Sequence, residues 1–227
     1  LAAGLKSWAP LLKSSMAFVT AEYLSTDEGK GFGEKYRNGE VTMDGTWNPY
    51  IETWSQLIDN GVYTADMTGI DHDQALEQFA TGGSAMFCSG PWDYDAIMEK
   101  NPELQLDMMP FYGTKESAGW LIGGPGCGFA ANASSKNLDA VKKVLAAIST
   151  ADRQTALWQN NQGGSSYLNG VEFDLPEAYT SVAGALAAGN VYCPWNEWGS
   201  AAGAHETYGT EMQSYLLGAQ DLSTTLQ

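Results

Sequence analysis

Apolar residues recur at Trp47, Tyr50, Ile51, Trp54 and Ile58. Spacing by threes and fours puts them on one face of a helix, and Asn60-Gly61 predicts its end. Asp71 is placed to cap a second, short helix carrying Leu76 and Phe79. Thr81-Gly82-Gly83 then turns the chain into Ser84-Ala85-Met86-Phe87-Cys88, an apolar run that reads as a buried strand. Ser89-Gly90-Pro91 breaks that strand, and residues 92–98 predict the first turns of another helix. Leu104, Leu106 and Met108 alternate as a strand should. The order is alternating α and β, which defines an α/β fold class.

Residues 119–128 hold five glycines and a proline, the composition of a loop or crossing where backbone comes close to something else. A strand is expected over 127–131. Asn137 is placed to cap a helix with Val141, Val144, Leu145 and Ile148 on one face, and Thr150 to cap another through Leu157 and Trp158. Residues 159–166 read as polar loop. Pro176 suits the first turn of a helix running to Leu186 and closed by Gly189. A tryptophan-rich segment at 192–198 precedes a last pair of helices, one through Tyr215-Leu216 and one from Leu222 onward. Neither an internal repeat nor a low-complexity tract is present in the sequence.

The chain has 227 residues, 44% of them hydrophobic, enough for one large domain or two small ones. Its apolar runs fall far short of the ~20 residues a bilayer demands, so neither a transmembrane span nor a signal peptide is read in it. Twenty-seven acidic side chains against 11 basic ones give a net charge of −16. That charge repels a polyphosphate backbone or an anionic membrane surface and favours a neutral or cationic ligand.

Cys88, Cys127 and Cys193 lack CxxC spacing and neighbouring histidines, so a zinc site is not expected. They read as small buried thiols, with one disulfide as the alternative, and Cys88 and Cys127 are expected to be reduced. His72 and His205 stand in no metal spacing, and no GxSxG elbow occurs. Gly123-Gly124-Pro125-Gly126-Cys127-Gly128 lacks the ending of a phosphate-binding loop. The many carboxylates read as solvated surface; a glycosidase pair would need two of them about 5 or about 9 Å apart, which sequence does not show.

Sugar recognition asks for aromatic faces against the C–H face of a pyranose, with amides and carboxylates for its hydroxyls. Three segments offer that mixture: Ser89-Gly90-Pro91-Trp92-Asp93-Tyr94, Gly119-Trp120-Leu121-Ile122-Gly123-Gly124 and Pro194-Trp195-Asn196-Glu197-Trp198. A core anchor is the competing reading for each tryptophan.

Phe79-Ala80-Thr81-Gly82-Gly83-Ser84-Ala85-Met86 followed by Ser89-Gly90-Pro91-Trp92 resembles the F-x-x-G-x-x-A-M…G-P-W signature of family 1 extracellular solute-binding proteins, the maltose-binding-protein-like family. Met109-Pro110, Gly123-Gly124 and Ser134-Ser135-Lys136-Asn137-Leu138-Asp139-Ala140 continue the resemblance, as do residues 150–158 and Trp198 before the terminal helices.

The resemblance implies a periplasmic-binding-protein-like two-lobe α/β fold of class II type, represented here mainly by the second lobe plus a crossing segment. On that basis residues 1–120 form the first part of the second lobe. Residues 121–175 are the crossover and pack on the first lobe, and 176–227 return to the second lobe as C-terminal helices. The family's first-lobe core, signal peptide and anchoring cysteine would then not be represented, and the helix at 141–148 would lack its packing surface.

The resemblance nominates Trp92 and Trp198 as sugar-stacking residues. Trp120 and the Gly123-Gly124 backbone follow as cleft-facing groups. His72 stands where relatives place a ligand-facing aromatic, and Trp8 lies near the implied hinge. The implied function is capture of a neutral oligosaccharide, or another small neutral solute, for the permease subunits of an ABC importer. The protein would work outside the cytoplasm as a monomer, without a cofactor, and would catalyse nothing. A carbohydrate hydrolase and a stationary carbohydrate-binding module are the rival readings.

Overall fold

The computed structural model describes residues 1–114, 117–124, 129–159, 168, 170–171, 176–198 and 203–227. Within them the chain forms α1 (Ala9–Val19), α2 (Phe32–Arg37), α3 (Asn48–Asp59), α4 (His72–Ala80), α5 (Tyr94–Lys100), β1 (Leu121–Ile122), α6 (Leu138–Ile148), α7 (Ala151–Gln159), α8 (Thr180–Ala187), β2 (Val191–Tyr192), α9 (Pro194–Glu197), α10 (Ala204–Leu216) and α11 (Leu222–Leu226). The fold is mixed α/β and rich in helix.

Helix α1 is the axis of the main core. It packs against α3 and α10 and touches β1. Pro10 suits its first turn, where the missing N–H costs nothing. Leu11, Leu12, Met16, Ala17 and Val19 are all buried. Two serines are buried with them, and both are satisfied. Ser15 Oγ donates to the Leu11 carbonyl at 2.7 Å and shares a 2.8 Å hydrogen bond with the Tyr208 hydroxyl. Ser14 Oγ accepts from Trp54 Nε1 at 3.1 Å. A helix buried on nearly all sides shows no polar stripe, which is why the apolar periodicity does not mark it.

Helix α3 follows the sequence pattern: Ile51 and Trp54 are buried, and Gly61 takes the left-handed conformation just beyond its end. In α4, Asp71 accepts from the Gln74 backbone N–H at 2.9 Å while the Gln74 side chain accepts from the Asp71 N–H at 3.0 Å. This reciprocal box fixes the first turn of the helix. Leu76 and Ala80 from α4 and Ile97 from α5 make a small second core, onto which Leu104 and Leu106 fold.

Two strand expectations are corrected. Over 84–88 the pairing shrinks to one parallel bridge between Ala2 and Phe87, framed by Ala2 N–H to the Met86 carbonyl at 2.7 Å and Cys88 N–H to the Ala2 carbonyl at 2.9 Å. The partner segment cannot run on, because Gly4 already lies against the backbone of His72; a Cβ there would fall 2.8 Å from His72 Cα. Residues 104–108 pair with no strand either. Their alternation is real, with Leu104, Leu106 and Met108 half-buried and Gln105 and Asp107 exposed. It records one-sided burial against helices rather than a ladder.

β1 and β2 pair in parallel, Leu121 opposite Val191 and Ile122 opposite Tyr192. An antiparallel bridge joins Phe111 to Trp120 just before β1. The strand expected at 127–131 falls partly outside the described residues, and 129–131 are without regular structure. The loop at 159–166 lies outside them except for Gln159. Asn137 and Thr150 stand at the predicted helix starts, but Asn137 makes no capping bond and Thr150 Oγ1 donates backwards to the Ala147 carbonyl at 3.2 Å. Helix α6 buries no residue, and Val144 is 59% exposed.

Candidate ligand-binding site

Candidate residues follow the ends of the extended segments. The bridge at Ala2 leads to Trp8 and α1, and the bridge at Phe87 leads to Trp92. β1 leads to Gly123 and Gly124, and β2 leads to Trp195 and Trp198. In α/β proteins the carboxyl ends of strands are where ligands sit.

Trp92 occupies the single turn of tight helix over Pro91–Asp93. It is 56% exposed. Its six-membered ring lies against Gly90, where any Cβ would collide with it, so glycine is needed for this ring position. Lys13 Nζ stands 4.4 Å from the ring centroid. From across the fold, the Tyr179 hydroxyl donates to the Pro91 carbonyl at 3.2 Å.

The neighbouring Asp93 is buried. One carboxylate oxygen lies 3.0 Å from His72 Nε2, and the other accepts from Ser89 Oγ. His72 is thus drawn to the same turn as Trp92, its ring also 5.7 Å from that of Phe87. Serine, histidine and aspartate here do not form a hydrolytic triad. A triad needs the imidazole between hydroxyl and carboxylate. Here the carboxylate stands between the other two, so the serine hydroxyl donates its hydrogen bond to Asp93 and not to the imidazole. The arrangement can orient groups, but its imidazole is not aimed at the hydroxyl.

A second aromatic group lies at the start of α1. The half-buried Trp8 meets the His205 ring edge-on at 5.4 Å, and Trp195 flanks the same histidine at 6.0 Å. Gly209 of α10 lets Trp8 sit close, since a Cβ there would approach the Trp8 carbonyl to 2.8 Å.

Trp198 lies in the core. It is 2% exposed, its indole N–H donates to the Tyr192 hydroxyl at 3.1 Å, and its ring packs on Trp47 and Tyr208. No face of the indole is left for a sugar. Trp120 is half-buried against the main core, with its backbone paired to Phe111. Gly123 donates its N–H to the Tyr192 carbonyl at 2.9 Å, and Gly124 presses on Cys193. Cys88 and Cys193 are free, buried thiols, while Cys127 lies outside the described residues. Among the described residues no group of three or more His, Cys, Asp or Glu could hold a metal ion.

The structure therefore joins Trp92 to His72 through Asp93, groups Trp8 separately with Trp195 and His205, and sets Trp198 in the core. Sequence reasoning overlooked Lys13, His205 and Tyr179. For Lys13 a signal existed: it is the one charge inside the otherwise uncharged α1.

The model of the bacterial extracellular solute-binding protein family matches residues 2–199, and the chain belongs to that family, one of binding proteins. A search of curated proteins found no match. Among solved structures, the chain superposes on the binding protein MsmE of Bacillus subtilis in an open conformation with a TM-score of 0.73 at 17% identity, covering 98% of this chain and 56% of that one. A family 1 extracellular solute-binding protein from Bifidobacterium longum subsp. infantis matches with a TM-score of 0.70 at 21% identity, over 96% of this chain and 55% of that one. A sugar transporter from Bacillus licheniformis, solved with stachyose, matches with a TM-score of 0.69 at 17% identity, over 98% and 57%. The periplasmic-binding-protein-like fold expected from the sequence is thus present, and the chain spans just over half the length of each of these structures. Among the described residues no helix is long and apolar enough to cross a membrane.

Proposed function

We propose that this chain carries the sugar-contacting surface of an extracytoplasmic solute-binding protein that delivers a neutral oligosaccharide to the permease of an ABC importer. The observation that carries the reading is Trp92, a rigid indole held out from the end of an extended segment with more than half its surface open. An exposed indole fixed by Gly90, Tyr179 and Lys13 loses little conformational entropy when a pyranose covers it. The stachyose bound to the Bacillus licheniformis relative supports a neutral oligosaccharide as cargo. The net charge of −16 supports it further by disfavouring anionic ligands.

Trp8 and Trp120, the Gly123-Gly124 backbone and His72 are the further proposed contacts, with His72 turned partly towards Asp93. The protein binds as a monomer without a cofactor and does not turn its ligand over; the order of Ser89, Asp93 and His72 supports the last point. The domain reading belongs to the same proposal. Residues 1–120 and 176–227 contribute to one lobe, and 121–175 cross towards the other, a reading supported by α6, which buries no residue and leaves Val144 more than half exposed.

Thermal shift and titration calorimetry on the full-length protein with stachyose, raffinose, maltotriose and chitotriose test the proposal. One or more sugars should raise the melting temperature and bind saturably, unchanged in mass after incubation. Hydrolysis of the bound sugar, or no binding across the panel, overturns it.

A further inference from the structure

Lys13 is out of place among its neighbours. It projects from a helix whose other residues are uncharged, and it is half-buried. Among the described residues its ammonium has no hydrogen-bond acceptor and no ion-pair partner. Its contact is the face of Trp92, 4.4 Å from the ring centroid. Burial pushes its pKa down, while the nearby Cys88 and Asp93 push it up.

Asp93 would be the natural partner, but its two carboxylate oxygens are already held by His72 and Ser89. An ammonium carries three donors, and leaving them unmade in a partly desolvated place is costly. A cation over an indole is attracted to the ring but satisfies none of those donors. The ammonium stands over the indole, 4.4 Å from its centroid, so a ligand that covers Trp92 meets Lys13.

We infer that Lys13 is a ligand-binding residue of the Trp92 subsite, donating hydrogen bonds to the hydroxyl oxygens of the sugar ring that stacks on the indole. This rests on the sugar-binding reading above and adds to it a specificity element. Hydroxyls, rather than a carboxylate, are the acceptors, because the ligand proposed above is a neutral sugar and the chain's net charge of −16 disfavours an anion. In the free protein the ammonium rests on the indole face. The sugar supplies the acceptors that the ring contact does not.

The test is titration calorimetry of the full-length protein with the sugar from the stachyose, raffinose, maltotriose and chitotriose panel that binds most tightly. Wild type is compared with Lys13→Met, Lys13→Arg, Trp92→Ala and the Lys13→Met/Trp92→Ala pair, with thermal melts alongside. Met keeps the length and apolar stem of the side chain. Lys13→Met should weaken binding about tenfold, the loss expected for a hydrogen bond from a charged donor. Arg should recover part of that loss. The double variant should lose less than the product of the two single losses, since without the indole no ring is held beside the ammonium.

Unchanged or tighter binding by Lys13→Met overturns the inference and leaves the transport reading standing. A loss of melting temperature with an unchanged dissociation constant does the same, assigning Lys13 to the fold alone. If no sugar binds wild type, the two readings fall together.

Discussion

Tyr179 and Pro91, 88 residues apart in sequence, are joined by a hydrogen bond in which the tyrosine hydroxyl donates to the proline carbonyl at 3.2 Å. Tyr179 is buried and meets the Tyr94 ring at 5.6 Å. Burial, helped by Asp95 and Tyr94, raises its pKa far above the ordinary phenol, so it remains a donor. The turn carrying Trp92 is thereby tied to the segment that opens α8. Tyr179→Phe should lower stability by about 1 kcal/mol. It should also weaken sugar binding about threefold, because Trp92 is then held less firmly. Calorimetry and urea unfolding measure both effects; binding unchanged in a destabilised variant would show that the bond serves the fold and not the subsite.

Cys88 gives a pH prediction. Desolvation raises its pKa from 9.0 to about 11, outweighing the opposing hydrogen bond from Tyr63 and the charge of Lys13. Below pH 9 folded and unfolded thiols are equally protonated and contribute no difference. Between about 9 and 11 the unfolded chain gives up the proton and the folded one keeps it, so stability falls as pH rises, by roughly 2–3 kcal/mol in all. Lys13 acts in the opposite sense, since its lowered pKa makes the unfolded chain hold a proton longer. Urea unfolding of wild type and Cys88→Ala between pH 7 and 11 isolates the thiol. Their difference should be constant to pH 9 and then shrink, and a constant offset throughout would refute the assignment.

The adjacent glycines after β1 should respond differently to the same change. Nothing lies within 4 Å of a Cβ built on Gly123, whereas one on Gly124 would collide with Cys193 Sγ and come within 2.9 Å of its Cβ. Neither glycine has a positive φ, so packing decides. Gly123→Ala should leave the melting temperature nearly unchanged. Gly124→Ala should cost about 1–3 kcal/mol, partly recovered by adding Cys193→Ala, which removes the sulfur. Equal melting temperatures for the two single variants would show that Cys193 moves aside freely.

Sequence legibility followed the kind of burial each residue has. Helix α3 was readable because only one side of it is covered, which leaves a periodic trace at Ile51 and Trp54. Helix α1 was not, because its covering is nearly complete and its buried Ser14 and Ser15 mimic a polar surface. The alternation at Leu104, Leu106 and Met108 was read as a strand because periodicity reports exposure, not pairing. At the candidate site, Gly90-Pro91 precedes a Trp92 that is more than half exposed. The same cue, a tryptophan among polar residues, says nothing of exposure at Trp198, whose cover comes from Trp47 and Tyr208, far away in the chain. Lys13 escaped notice because a lone lysine normally reads as solvated, and only the fold brings Trp92 to it.

Those two tryptophans should separate binding from stability. Trp198 is enclosed by Trp47, Tyr208 and Tyr192, and its N–H is bonded to the Tyr192 hydroxyl. Truncating it leaves a cavity and an orphaned partner, so Trp198→Ala should cost about 3–5 kcal/mol of folding free energy. The fraction that stays folded should bind with near-normal affinity, because this indole is almost wholly enclosed. Trp92 has the opposite exposure, and Trp92→Ala removes little packing. What it loses is the apolar face that a sugar would cover, worth roughly 2 kcal/mol at the centre of a binding site and equivalent to about a thirtyfold weaker dissociation constant. Melting curves and calorimetry on both variants of the full-length protein measure the two axes independently. A thirtyfold binding loss in Trp198→Ala with normal melting, or a collapsed melting temperature with unchanged affinity in Trp92→Ala, would reverse the assignment: the indole that contacts sugar would then be the one the fold encloses, which requires the Trp47–Tyr208 enclosure to open on binding.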